Sequence, residues 1–301
     1  MNIIMKRFLF IPVIGFMMLS LVSCFHAKAP EEKDGMVIIP KGTFTMGTEP
    51  DEIYARSAHD VFVETFMIDK YEVSAREFAG FLNSGGNHDD RYSTHDDYST
   101  IIGASSIGGK TIETKKNPQF YMPREGYENF PANNVSWNGA FSYCQWKGKR
   151  LPTEAEWEKA ARDNDKRIYP WGNGMPDDSK ARYNQKWSEK RMNVMVPVDA
   201  LPDGASYYHV LNMAGNVWEW VDDWFKRDYC LYCPEKDKCI TCQEGNPCDY
   251  CPKERPATGH FKVLRGGSWF EGSGHIVIKS TYRYWLAPED RFINTGFRCA
   301  Q

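Results

Sequence analysis

The sequence predicts an irregular α+β domain carried behind an export signal. Three observations lead there. Stretches with helical apolar spacing are few and short, while turns rich in Gly, Asn and Asp are many. Ten tryptophans and 24 glycines put large core side chains among tight turns. An apolar run from Phe8 to Val22 follows the basic pair Lys6-Arg7; it is short for a membrane span and right for the core of a signal peptide.

Taken in order, the chain first leaves the cytoplasm. The apolar run ends Leu21-Val22-Ser23-Cys24, and a small residue before a cysteine at that point resembles a bacterial lipoprotein signal, with Cys24 as the acylated first residue; an ordinary signal peptide cut nearby, or a short membrane anchor, is the alternative. Residues 1–23 are then the signal peptide, 24–35 a short polar tether and 36–301 the folded domain. The expected location is the cell envelope, lipid-anchored to a membrane, where disulfides are allowed. A formal net charge of −3 offers no basic field, so nucleic acid is set aside as a partner.

Met36–Glu49 (MVIIPKGTFTMGTE) reads as strand, turn and strand, and Val61–Ser74 as a further strand region. Ser74 caps a helix whose third residue, Glu77, completes a capping box and whose apolar face is Phe78, Phe81 and Leu82. Residues 83–118 read as a long polar loop. Within it, His88 to Asp97 holds two histidines and four aspartates with no fixed coordination geometry, so a solvated acidic loop is the expectation. Ser136 caps a helix bearing Ala140, Phe141, Tyr143, Cys144 and Trp146, which Gly148 stops. Thr153 caps the next, with Glu156 as its capping-box acid. Glu154 and Glu156 are first-turn acids that suit a helix N-terminus rather than a catalytic pair. Tyr169–Asn173 is a turn, Asn212–Phe225 a loop leading into an aromatic segment, Val263–Phe270 a strand broken by two glycines, and Thr295–Ala300 a last strand.

Six motifs in sequence, GTFTMG, VSWNGAFSYCQWKGKRLPTEAEWEKAAR, YPWGN, NMAGNVWEWVDDW, LRGGSW and GFRCA, resemble the sulfatase-modifying-factor family, of which formylglycine-generating enzymes are the best-known members. They span Met36 to Ala300. The resemblance implies one domain of the variant C-type-lectin-like fold, low in regular secondary structure. It implies a calcium ion held by the side chains of Asn212 and Glu219 and the carbonyls of Gly215 and Val217, hard oxygen donors that suit this cation. Asn184 falls near a second family calcium site, with no clear ligand set around it. The resemblance also implies a Cys144–Cys299 disulfide.

The family's catalytic centre does not carry over. Its enzymes bind copper through two cysteines soon after Gly-Gly-Ser-Trp/Tyr, and those positions here are Glu271 and, near the second, Ile276. A carboxylate and an aliphatic side chain cannot supply the soft thiolates that Cu(I) needs. His275 and Glu271, four residues apart, lack an evident third ligand, and the helical domain of the iron-using branch of the family has no counterpart. The expectation is a non-catalytic binding or scaffold module with an envelope protein or peptide as partner. The alternative is an oxidase of an exported peptide or small molecule with a rearranged site.

Between two of the motifs lies an insert, residues 228–258, with three Cys-x-x-Cys pairs: Cys230/Cys233, Cys239/Cys242 and Cys248/Cys251. No pair is followed by histidine, which excludes covalent haem. Three disulfides are expected, since a small exported insert with little apolar content needs staples; a structural zinc is the alternative, and redox exchange a third reading.

Overall fold

A computed structural model describes residues 31–48, 54–85, 97–225, 259–270 and 274–301, with backbone alone at 189–191. Strand β1 (Glu32–Lys33) pairs with β2 (Met36–Ile39), which pairs with β5 (Phe66–Asp69), all antiparallel. β3 (Gly42–Met46) and β4 (His59–Val63) form a separate ribbon. So the two strands of the Met36–Glu49 stretch do not pair with each other: β2 lies between β1 and β5, and β3 pairs with β4.

Helix α1 (Ala75–Asn83) starts at Ser74, whose hydroxyl accepts from the Glu77 amide while the Glu77 carboxylate accepts from the Ser74 amide. Its buried residues include Phe78, Phe81 and Leu82, one face of a 3.6-residue repeat. Residues 83–118 are not the single long loop expected. They contain β6 (Ile101–Ile107) and β7 (Lys110–Glu113), an antiparallel hairpin that β8 (Phe120–Pro123) extends on the other side. Gly108 and Gly109, both at positive φ, make its two-residue turn, the conformation such hairpins require. β7 is exposed along its length, so it shows no apolar alternation to reveal it.

Helix α2 (Trp137–Trp146) is capped by Ser136 and α3 (Glu154–Arg162) by Thr153 with its Glu156 box. A short α4 (Trp187–Lys190) follows. The last sheet runs in the order β11 (Arg283–Leu286), β10 (Lys262–Arg265), β9 (Trp218–Trp224), β12 (Thr295–Phe297), with β12 parallel to β9. This sheet separates two cores. Trp220, Leu264 and Phe297 face α1 and α2, and their sequence neighbours Val221 and Val263 face α3 and the strands β2 to β5, the alternation a pleated strand imposes. Trp157, Trp220 and Trp269 are among the largest fully buried side chains. Beyond β12, the backbone passes between β5 and Arg150: Met67 donates to Gln301, and Arg150 and Ala300 exchange hydrogen bonds. Cys299 on this segment is disulfide-bonded to Cys144 of α2, the pairing the family resemblance implies.

Candidate functional site

β10 ends where Gly266 and Gly267 take φ of +89° and +74°. A Cβ on Gly267 would stand 2.7 Å from Ile278 Cγ2 and 2.8 Å from the Val277 carbonyl oxygen, so only glycine fits this turn. The turn sends Trp269 into a pocket of Val194, Met195 and Val217 and leaves Phe270 exposed. Past the turn, Ile276 is 51% exposed and His275 is also on the surface. β11 then rises with a wall of aromatic rings. Trp218 stacks on Tyr284 at 5.4 Å between centroids, Phe225 on Trp285 at 4.1 Å, and Tyr54 lies 5.2 Å from Tyr282. Burial, with the neighbouring Tyr54 and Tyr284, pushes the Tyr282 phenol up to about 12.

Beneath the wall sits a charged cluster that nothing in the sequence reading anticipated. Arg283 of β11, Arg265 of β10 and Arg56 all donate to the buried carboxylate of Glu154, with Arg283 Nε at 2.5 Å, Arg265 at 2.9 Å and Arg56 at 2.7 Å. Arg265 also donates to Glu158 at 2.6 Å, and Glu158 accepts from Arg162 and the Gly47 amide. Burial alone would raise the Glu154 carboxyl; the guanidiniums of Arg283, Arg56 and Arg265 together hold it well below the usual carboxylate range. Glu154 is therefore neither a general acid nor simply a first-turn acid. It fastens the aromatic wall to α3. The signal available in the sequence was a charged residue inside an apolar strand, Arg265 after Val263-Leu264, which demands a buried partner.

The Asn212 loop leads into β9 and is bonded to the Gly-Gly turn, Gly215 donating to the Gly266 carbonyl and Trp269 to that of Asn216. Asn212, Gly215 and Asn216 have φ of +55°, +80° and +60°. Gly215 is forced, because a Cβ there would stand 2.4 Å from the Arg182 carbonyl oxygen. Glu219 accepts from Arg298 through both oxygens, at 2.7 and 2.6 Å, and from the Trp157 indole at 2.7 Å. Asn212 and Asn216 donate to the wholly buried Glu72, at 3.0 and 2.9 Å. Burial, then the charge of Glu219, pushes the Glu72 carboxyl up to about 8. The carboxyls of Glu72 and Glu219 thus both lie in the field of the Arg298 guanidinium, which bonds Glu219 alone of the two. Among the described residues, Asn212 Oδ1 accepts no hydrogen bond and Glu219 Oε1 accepts one; both keep lone pairs for a hard cation.

Cys24, Glu271, residues 88–96 of the acidic loop and the six insert cysteines, Cys230, Cys233, Cys239, Cys242, Cys248 and Cys251, lie outside the described residues. Asn184 stands at φ +50° in the loop before α4. Among the described residues, no group of three or more His, Cys, Asp or Glu side chains is placed to hold a metal ion. The donor set for copper is wrong in kind: no cysteine occurs between Cys251 and Cys299, and the side chain at 276 is aliphatic. The residues present do not fit that metal.

The central Gly-Gly turn, the Asn-x-x-Gly-Asn loop and the disulfide between α2 and the C-terminal segment together define a sulfatase-modifying-factor fold. The chain belongs to that family: residues 23–301 match the sulfatase-modifying factor enzyme 1-like domain. It is 32% identical to the formylglycine-generating enzyme of Thermomonospora curvata, over 91% of this chain and 95% of the relative. It is 29% identical to a mouse protein named inactive C-alpha-formylglycine-generating enzyme 2, over 94% and 91% of the two chains. Among solved structures it is similar to PvdO from Pseudomonas aeruginosa, with a TM-score of 0.60 and 26% identity over 88% of this chain and 93% of that one.

Proposed function

We propose that this protein is a lipid-anchored envelope module of the family that binds a protein or peptide partner and does not generate formylglycine. The observation that carries the reading is the missing cysteine pair, since by the family resemblance the first copper thiolate position falls on Glu271 and the second near Ile276. The aromatic wall supports a binding role. Tyr54 and Tyr284 are exposed, with a rigid ionic base behind Tyr284, and large rigid side chains on a fixed scaffold are what partner recognition uses. The fold itself is neutral between catalysis and binding.

The same reading keeps a structural calcium, held by Asn212 and Glu219 through side chains and by Gly215 and Val217 through carbonyls. Support for it comes from the lone pairs left on the first two and from Glu72, a second buried carboxyl beside Glu219 that a bound cation would favour in its ionised form. A zinc ion in the insert is the alternative to three disulfides there.

The test incubates the purified chain with Cu(I), oxygen and a cysteine-containing peptide, and follows bound copper and aldehyde formation. Neither stoichiometric copper nor turnover is expected. One copper per chain with oxygen-dependent conversion of the cysteine would overturn the reading in favour of an oxidase. Cys24→Ser is expected to move the protein from the membrane to the soluble fraction; an unchanged membrane fraction removes the lipid anchor.

A further inference from the structure

A cavity of about 290 Å³ lies apart from the aromatic wall, where the β5–α1 connection meets α2; its lining reaches Glu72 and Val198, the two partners of the Asn212 amide. It offers many times the room that one water or one bare ion needs, so its occupant is a molecule of several atoms. Asp34, Asp69, Glu72 and Glu77 contribute carboxyls to its lining, against the ammoniums of Lys147 and Lys149. Lys149 is already engaged with Asp69, whose other oxygen accepts from the Cys299 amide. The balance of the lining is acidic.

The second observation is Tyr143, which also lines the cavity. The residue is 2% exposed. Its ring is fixed by Phe78, Phe81 and Phe297, with centroids 5.3 to 5.7 Å away. Buried tyrosines usually give their hydroxyl a partner, yet this one makes no hydrogen bond among the described residues. Burial, then the charges of Glu77 and Asp69, push the phenol up, so it stays protonated. Glu77 is similarly half-used: its Oε2 accepts from the Ser74 amide and hydroxyl, and its Oε1 accepts nothing among the described residues. A hydroxyl without a protein partner, on a buried ring, and an open carboxylate oxygen on the more exposed Glu77 therefore border one partly open volume.

We propose that this cavity binds an organic ammonium ion, either a free amine or the head of a lysine side chain, through N–H donation to Glu77 Oε1 and the Tyr143 hydroxyl oxygen. The Tyr71 ring, on the same lining, gives the alkyl portion an apolar neighbour. A lone metal ion is a poorer occupant, since no three carboxylates converge. This assignment is independent of the proposed partner surface at the aromatic wall.

The test is isothermal titration calorimetry on the full chain with 1,4-diaminobutane, with a capped lysine amide, and with succinate as the oppositely charged control. Saturable binding of at least one amine and none of succinate is expected; the tighter of the two amines identifies free amine or side chain as the source. Tyr143→Phe removes only the hydroxyl, and Glu77→Gln removes the charge while keeping a residue that completes capping boxes. Each is expected to weaken amine binding tenfold or more, the loss typical of a charge-assisted hydrogen bond, with an unchanged melting temperature. Unchanged affinity in both variants overturns the proposal. So does equal binding of succinate, or the absence of saturable binding by either amine.

Discussion

Glu154 occupies the first turn of α3 and is wholly buried, yet three guanidiniums close on it. Its charge is therefore part of the fold's stability, and the sign of the pH dependence follows. The folded carboxyl titrates below the ordinary value of 4.5, so the folded state favours the ionised form. The contribution is fully present above the unfolded value and is lost as pH falls below it toward the folded one. Denaturant unfolding is expected to show falling stability as pH drops below about 4.5. Glu154→Gln is expected to flatten that dependence. It also leaves Arg56, Arg265 and Arg283 with a neutral partner, which is expected to lower stability at neutral pH by about 3–5 kcal/mol, the usual consequence of breaking a buried ion pair from one side. An equal acid slope in the variant would assign the acid sensitivity elsewhere. Position 154 also marks where reading at this scale stops. The spacing Thr153-x-x-Glu156 announces the cap because both partners are local; nothing local announces that Glu154 meets Arg265, 111 residues away, or Arg283, 129 residues away.

Elements follow the same division. The starts of α1, α2 and α3 are legible because Ser74, Ser136 and Thr153 each bond amides within three residues. Strand pairing is not, because β2 and β3, neighbours in sequence, owe their registers to β5 and β4. β6 and β7 escaped notice since half of the hairpin has no buried face. The disulfide is the covalent device that holds distant elements together. It ties α2 to the segment after β12 across a sequence separation of 155. By the loop-entropy estimate, the double variant Cys144→Ser, Cys299→Ser is expected to lose about 4–5 kcal/mol, an upper figure from which native strain subtracts. Equilibrium unfolding under non-reducing conditions measures it. A loss below about 1 kcal/mol would mean that the unfolded chain is already restrained by other contacts. At a second element, Thr153→Ala is expected to remove about 1 kcal/mol from α3 by deleting the cap; no change would show that Glu156 and Arg150 hold the helix start by themselves.

At the scale of the whole molecule, the family and the lack of any cysteine between Cys251 and Cys299 are both legible, the first from short motifs in a fixed order and the second from the sequence directly. The cavity beside Tyr143 is not, because its lining is drawn from β5, α1, α2 and the loops between them. Between these extremes stands the calcium. The Asn212 loop suggests it from sequence, while Glu72, the second buried carboxyl bonded to that loop, comes from 140 residues earlier. The bound ion would act on the entire fold, because the Asn212 loop joins the segment after β5 to β9, and Arg298 joins both to the C-terminal segment. A ligand that binds only the folded state stabilises it by about 2.7 kcal/mol at a free concentration one hundred times its Kd. For a domain of this size that corresponds to a melting temperature raised by roughly 5–10 °C. Chelation is therefore expected to lower the melting temperature by that amount, and added calcium to restore it where magnesium does not, since magnesium resists dehydration and demands a stricter octahedron. Asn212→Ala is expected to abolish the response to chelator while lowering the chelator-free value. A melting temperature indifferent to chelator in the unaltered chain would sink the calcium, and would leave Glu72, neutral and bonded to its two asparagines, as the sole way the loop balances its charge.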